Sequence, residues 1–246
     1  MRFRRRTARR PTVRMLHTSD VHLTDNPSST AGLARADDVA LERNVDLVLI
    51  AGDLFDHSRV EEATVRRAIE QLERLHQPAV VIPGNHDQVD DRSIYNQWDL
   101  ESAGGHVTFV GEPDGRRVVF DSLRVSVWAR GIEDHNPAHR PLEGYQPGDP
   151  SHWNVVLTHG HYVPGGESSD RSSQITEHEI GCLGCDYVAL GHWHRFLDVS
   201  AGGVTAFYCG APTASHGDFA SVNVVELDPR RGVSVERVDI TPPLRD

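Results

Sequence analysis

Five times along this chain of 246 residues, a short apolar run stops at a residue type that binds metal ions. The run 13–18 ends at Ser19-Asp20-Val21-His22, and 45–50 ends at Ala51-Gly52-Asp53. The run 79–83 ends at Gly84-Asn85-His86-Asp87, 153–158 at His159-Gly160-His161, and 186–190 at Gly191-His192-Trp193-His194. Short apolar runs bounded by glycine read as buried strands. Between the early ones lie helical stretches, one over 30–43 and one opened by the capping-box spacing Ser58-Arg59-Val60-Glu61. In the second, Val65, Ile69, Leu72 and Leu75 recur at helical intervals. Strand–loop–helix order predicts a largely parallel sheet covered by helices. In such sheets ligands collect beyond the carboxyl ends of the strands, where all five clusters fall.

The middle of the chain predicts a further helix over 93–103. Two strand-like runs, 107–110 and 116–120, flank Glu112-Pro113-Asp114-Gly115 and read as a hairpin. A strand over 123–128 follows, then a loop rich in Pro, Gly and Asp over 131–151. The tail alternates short strands at 196–200, 204–208, 222–227 and 233–240, which predicts a second sheet packed on the first. Residues 1–14 read as a disordered arginine-rich arm, with one domain over 15–246. The arm has no apolar segment behind it, and no run approaches the ~18 apolar residues that span a bilayer. A net charge of −11 gives no global attraction to nucleic acid or anionic membrane. Three cysteines make no disulfide framework, and Cys182-Leu-Gly-Cys185 reads as a helix end rather than half of a zinc site. These features predict a cytoplasmic protein without a membrane partner.

The strand-end donors are Asp20, His22, Asp53, Asn85, His159, His192 and His194, with His86 and Asp87 alongside. In Asp-x-His and His-x-His on extended chain, both side chains point one way. Carboxylate, imidazole and amide oxygen without thiolate suit Mn, Fe, Zn, Co or Ni better than Ca or Mg. Seven donors are too many for one ion and suit two that share a carboxylate. Two ions ~3.5–4 Å apart are the arrangement that hydrolyses phosphate esters.

The blocks Asp20-Val-His22, Gly52-Asp53, Gly84-Asn85-His86-Asp87, His159 and Gly191-His192-Trp-His194 resemble those of the calcineurin-like metallophosphoesterase superfamily. The resemblance implies a four-layer α/β/β/α sandwich, two mixed sheets flanked by helices. It implies that Asp20, His22 and His194 hold one divalent ion, Asn85, His159 and His192 a second, and that Asp53 bridges them. Manganese is the leading candidate. It makes His86 an acid or charge stabiliser at the leaving group, oriented by Asp87. Within the superfamily, Thr18-Ser-Asp20-Val-His22-Leu, Ala51-Gly-Asp53-Leu-Phe-Asp56 and Tyr187-Val-Ala-Leu-Gly191-His192 are similar to the bacterial and archaeal double-strand-break repair exonucleases. Tyr208-Cys-Gly-Ala-Pro212 departs from that branch's commoner Gly-Ser-Pro, and the few β segments after His194 leave no room for its DNA-capping domain or ATPase-docking segment.

The expected activity is phosphodiester hydrolysis by a metal-bridging hydroxide, with His86 donating to the leaving group. A small or medium diester is favoured as substrate over nucleic acid, because a nuclease needs a basic track along the backbone. A DNA exonuclease or endonuclease is the second reading. A non-catalytic scaffold is the third, and its usual mark, missing ligands, is absent. Among other residues, His161 is a candidate for contact with substrate and Asp56 for the edge of the site. Arg130 is a weaker candidate for phosphate contact. Trp98, Trp128 and Trp193 read as packing residues.

Overall fold

The computed structural model describes residues 10–133, 136–213 and 219–242. His135, His216 and residues 1–9 of the predicted arm lie outside the described residues. Four strands come first: β1 (Val13–Thr18), β2 (Leu47–Ala51), β3 (Ala79–Ile82) and β4 (Val107–Phe109). Helix α1 (Thr30–Glu42) joins β1 to β2, and α2 (Glu62–Arg74) joins β2 to β3. The chain then crosses to a second sheet through β5 (Arg116–Phe120), β6 (Val125–Arg130) and β7 (Trp153–His159). A two-stranded ribbon, β8 (His161–Val163) with β9 (Gln174–Thr176), precedes α3 (Glu177–Cys182). Strands β10 (Tyr187–Gly191), β11 (Phe196–Asp198), β12 (Thr205–Cys209), β13 (Ser221–Asp228) and β14 (Gly232–Asp239) complete the fold.

The first sheet runs β14-β13-β1-β2-β3-β4 and the second β11-β12-β10-β7-β6-β5. Both are mixed. Strands β1 to β4 pair in parallel, as do β6, β7, β10 and β12, and antiparallel strands flank each set. Alternation sorts the side chains into three apolar layers. Met15, Leu47, Leu49, Val80 and Ile82 meet Val125, Val127, Val155, Leu157 and Ala189 between the sheets. Leu16, Val48, Ile50 and Val81 pack outward beneath α1 and α2, through Leu33, Ala36, Val65, Ala68 and Leu72. Val156, Val188, Leu190 and Tyr208 face outward from the second sheet under Ile180 of α3 and under Leu142 and Tyr145 of the long loop. The four-layer α/β/β/α sandwich is thus present, with one short helix and a loop as its thinner outer layer. No helix among the described residues is long and apolar enough to cross a membrane.

Several local expectations give way. The hairpin over 107–120 does not form, because β4 ends one sheet and β5 the other. The Glu112–Gly115 turn closes with a 2.9 Å bond, yet the Arg116 guanidinium, at 2.7 Å, takes the Phe109 carbonyl that a paired strand would use. The tail does not stay in the second sheet: β13 inserts beside β1 and β14 beside β13. The helix over 93–103 is two 3-10 turns, Ile94–Asn96 and Leu100–Ala103. Ser93 and Asp99 side chains accept from Tyr95 N and Glu101 N, so each restarts the chain locally. Helix α2 starts after Glu61 with no side-chain cap of its own. Asp25, distant in sequence, accepts from Glu61 N and Thr64 Oγ1 at 2.8 Å instead. A true capping box sits at Thr176 and Glu179 of α3, a helix too short to show periodicity. Of the predicted arm, Val13 and Arg14 belong to β1, and Arg10 pairs with Asp186 at 2.9 Å.

Candidate metal centre

The ends of β1, β2, β3, β7 and β10 all open on one cleft. Two loops of the first sheet run side by side there, through Asp20 N to Gly52 O and His22 N to Asp53 O, both 3.0 Å. The paired donors do converge, but not on extended chain. Asp20, His22, Asp53 and His192 have φ of 55°, 50°, 52° and 111°, four of the seven positive-φ non-glycine residues among those described. Each left-handed residue costs of order 1–3 kcal/mol and needs a surrounding structure that enforces it. Glycine makes the packing fit: a Cβ on Gly191 would lie 1.9 Å from the Ala51 carbonyl oxygen, and one on Gly84 2.1 Å from Asp53 Oδ1.

Three groups of side chains bring their ligand atoms within 4.8 Å of one another: Asp20 with His22 and His194, Asp20 with Asp53 and His159, and His22 with Asp53 and His86. Asn85 joins the second region, its Oδ1 lying 3.0 Å from His159 Nε2 and 2.9 Å from His192 Nδ1. All seven predicted donors therefore meet in one cleft. His86 also lies within ligand reach, which sequence reasoning did not foresee.

The tautomers fit cations. The Nδ1–H of buried His159 donates to the Ala51 carbonyl oxygen at 2.8 Å. Its Nε2 then faces Asn85 Oδ1 at 3.0 Å and Asp53 Oδ2 at 3.4 Å. His22 repeats the pattern. Its Nδ1–H donates to Asp56 Oδ1 at 3.1 Å, and Nε2 faces His194 Nε2 at 3.2 Å and Asp53 Oδ2 at 3.7 Å. Burial lowers the His22 pKa, favouring the neutral ring. Lone pairs facing lone pairs repel unless a cation stands among them, so the donor set suits divalent metals.

The carboxylates carry the same message. Burial, then the charges of Asp87 and Asp20, push the Asp53 carboxyl well above its ordinary value, although His86 N donates to it at 2.8 Å. Burial would also raise Asp20. The His159 and His194 imidazoles, the Ser19 hydroxyl and the His192 N–H outweigh it and hold Asp20 low. A bound cation reverses the desolvation logic at both.

His86 and Asp87 do not pair as expected. His86 Nδ1 donates to the Asp56 carbonyl oxygen at 2.9 Å. Asp87 is fully buried and accepts from Gly84 N at 2.7 Å, Phe55 N at 3.1 Å and Tyr95 Oη at 2.5 Å. It pins the turn that carries Asn85 rather than orienting the imidazole beside it. Arg130 binds three carbonyl oxygens, of Pro113, Arg140 and Glu143, at 2.7–2.9 Å, so it braces the long loop instead of facing the cleft. His161 Nδ1 accepts from Trp193 Nε1 at 3.3 Å, and its ring meets that of His192 at 5.8 Å. Trp193 packs on Tyr208, and Trp128 is buried.

Ser19 and Cys209 also matter, within sequence blocks that gave them no role of their own, and Tyr95 and His17 carried no sequence signal. The Ser19 hydroxyl bonds Asp20 and lies 3.2 Å from the Cys209 thiol. His17, buried behind the cleft, meets Tyr187 Oη at 2.8 Å, and desolvation lowers its pKa to about 3. All three cysteines are free thiols, and Cys182 does end α3.

Residues 13–196 match the family model described as calcineurin-like phosphoesterase. Two curated relatives bracket the match. The uncharacterized metallophosphoesterase YhaO of Bacillus subtilis is 26% identical over 227 residues, covering 82% of this chain and 53% of that protein. The DNA double-strand break repair protein Mre11 of Methanopyrus kandleri is 28% identical over 206 residues, 74% of this chain and 44% of that one. The chain thus spans about half the length of these relatives. Among solved structures, an archaeal phosphodiesterase superposes with a TM-score of 0.54 at 16% identity, covering 92% of this chain and 99% of that one, a likeness of fold.

Proposed function

Because the chain belongs to the calcineurin-like phosphoesterases, metal-dependent hydrolases of phosphoesters, we propose that it is a two-metal phosphodiesterase acting on a small or medium diester. The convergence of seven candidate donors, with His159 and His22 each committing Nδ1 to a protein oxygen, carries this reading. Asp20, His22 and His194 would hold one ion, Asn85, His159 and His192 the other, and Asp53 would reach both. Manganese is the first choice, with Fe, Zn, Ni or Co as alternatives for a nitrogen-rich donor set. When bound, such ions supply an activated water near neutral pH and neutralise charge on phosphoryl oxygens.

His86 is assigned the proton. Its Nδ1–H is committed to the Asp56 carbonyl, so Nε2 is the atom that gains and releases a proton toward the leaving group. That bond leaves Nε2 open to a metal as well, and the variants described below separate the two roles. Asp87 serves by holding the Gly84 turn. The second reading, a nuclease, draws on the Mre11 relative. The test is an activity panel on Mn-reconstituted protein: p-nitrophenyl phosphate, its bis ester, cyclic nucleotides, and single- and double-stranded DNA. The proposal expects the bis ester or a cyclic nucleotide to lead. Efficient cleavage of linear DNA at physiological salt, with little turnover of small diesters, would replace it with the nuclease.

A further inference from the structure

We infer that Asp56 is a positioning residue serving two elements of the site at once: its carboxylate fixes His22 as a metal ligand while its backbone carbonyl fixes His86. The inference rests on the two-metal reading above. Asp56 stands three residues beyond Asp53, and its own N–H donates to the Leu23 carbonyl oxygen at 3.0 Å. That bond, with the neighbouring bridge between Leu23 and Phe55, locks the residue beside the loop that carries His22. From this fixed point, Asp56 Oδ1 accepts from His22 Nδ1 at 3.1 Å and the Asp56 carbonyl oxygen accepts from His86 Nδ1 at 2.9 Å. The two imidazoles stand edge to face, with centroids 4.6 Å apart and planes at 89°. Both rings thus spend Nδ1 on one residue and turn Nε2 toward the cleft.

The two contacts differ in kind, which makes them separable. The carboxylate contact depends on the side chain; the carbonyl contact survives any substitution that keeps the backbone. The Asp56 side chain is 41% exposed, so its ion-pair energy is screened and its chief effect is to orient the ring. A carboxylate accepting from a ligating imidazole fixes the tautomer and raises ligand basicity, and its loss typically costs 10–100-fold in metal affinity. That loss should fall on the ion held by His22 and leave the ion held by Asn85, His159 and His192 in place.

The test compares wild type, Asp56→Ala and Asp56→Asn by Mn2+ titration calorimetry, by 15N spectra of the imidazoles and by thermal melting without metal. For Asp56→Ala the expected result is one of two Mn2+ affinities weakened by roughly 10–100-fold. The other affinity and the metal-free melting temperature stay at wild type. His22 loses its fixed tautomer while His86 keeps its own. Asp56→Asn, which retains an acceptor oxygen, restores part of the lost affinity. If both affinities stay at wild type, or both fall together with the metal-free melting temperature, the assignment is overturned. Wild-type protein that binds a single ion instead refutes the two-metal reading, a failure distinct from that of Asp56.

Discussion

The two sheets bring unequal chemistry to the same cleft. Every candidate oxygen donor comes from the first sheet: Asp20 after β1, Asp53 after β2 and Asn85 after β3. The second sheet contributes imidazole alone, His159 from the end of β7 and His192 and His194 after β10. By itself the first sheet concentrates buried carboxylates, and Asp53 shows the cost in a raised pKa. The second sheet answers, since His159 and His194 lower Asp20 and the Ala51 carbonyl aligns His159. Docking the sheets and finishing the site are therefore one event. The apolar layer between them, from Met15 to Ala189, is as much a part of the centre as the donors.

The hardest way to break this division of labour is Asp53→Ala, which removes a carboxylate oxygen 3.7 Å from His22 Nε2 and 3.4 Å from His159 Nε2. Metal analysis should find both ions lost or their binding uncoupled, with hydrolysis at background. Next, His86→Asn should keep both metals and the fold yet lower kcat by roughly 10²–10⁴, with a smaller loss on nitrophenyl esters, whose leaving group needs less protonation. His192→Asn should instead lose metal affinity first, with activity partly recovered by added Mn2+. Metal loss in His86→Asn as great as in His192→Asn would make His86 a ligand, as its proximity to His22 and Asp53 allows.

Gly191→Ala attacks the seam between the sheets. The new methyl has backbone 1.9 Å away, so the sheets must part. Overpacking of this kind costs about 1–3 kcal/mol, read by denaturant unfolding, and metal affinity should fall with it. Wild-type stability and affinity together would show the seam to be slack.

The parts of this architecture that were legible in the sequence are those where one residue type does one job. Buried parallel strands leave continuous apolar runs, so β1, β2, β3, β7 and β10 and the convergence of the side chains at their ends could be read directly. What escaped depends on partners distant in sequence. Nothing near β13 says that it will lie beside β1. Asp25, not the local Ser58, accepts from the Glu61 N–H just before α2 and from the Thr64 hydroxyl in its first turn. The family resemblance implied that Asp87 orients His86, but neighbours along a chain often face apart, and Tyr95 and Phe55 claim it. The left-handed backbone at Asp20, His22 and Asp53 was equally hidden, since aspartate and histidine adopt it only where tertiary contacts demand it.

A smaller effect isolates burial from the site. Asp37 in α1 is a carboxyl 1% exposed, with burial pushing its pKa up to about 8, and it belongs to none of the converging ligand groups among the described residues. A folded pKa above the ordinary 3.8 means that the stability gained by holding the proton is full at low pH and is lost as pH rises toward 8. Asp37→Asn should therefore raise the melting temperature at pH 8 more than at pH 5, and leave metal binding unchanged. Equal shifts at both pH values would show that Asp37 does not hold its proton in the fold.

The central claim is that both sheets together hold two ions. Mn2+ titration of metal-stripped wild-type protein, with bound metal counted per chain, tests it most directly. The account predicts saturation at two ions, with thermal stability rising as they bind. Saturation at one ion under excess Mn2+, with the fold intact, would contradict it.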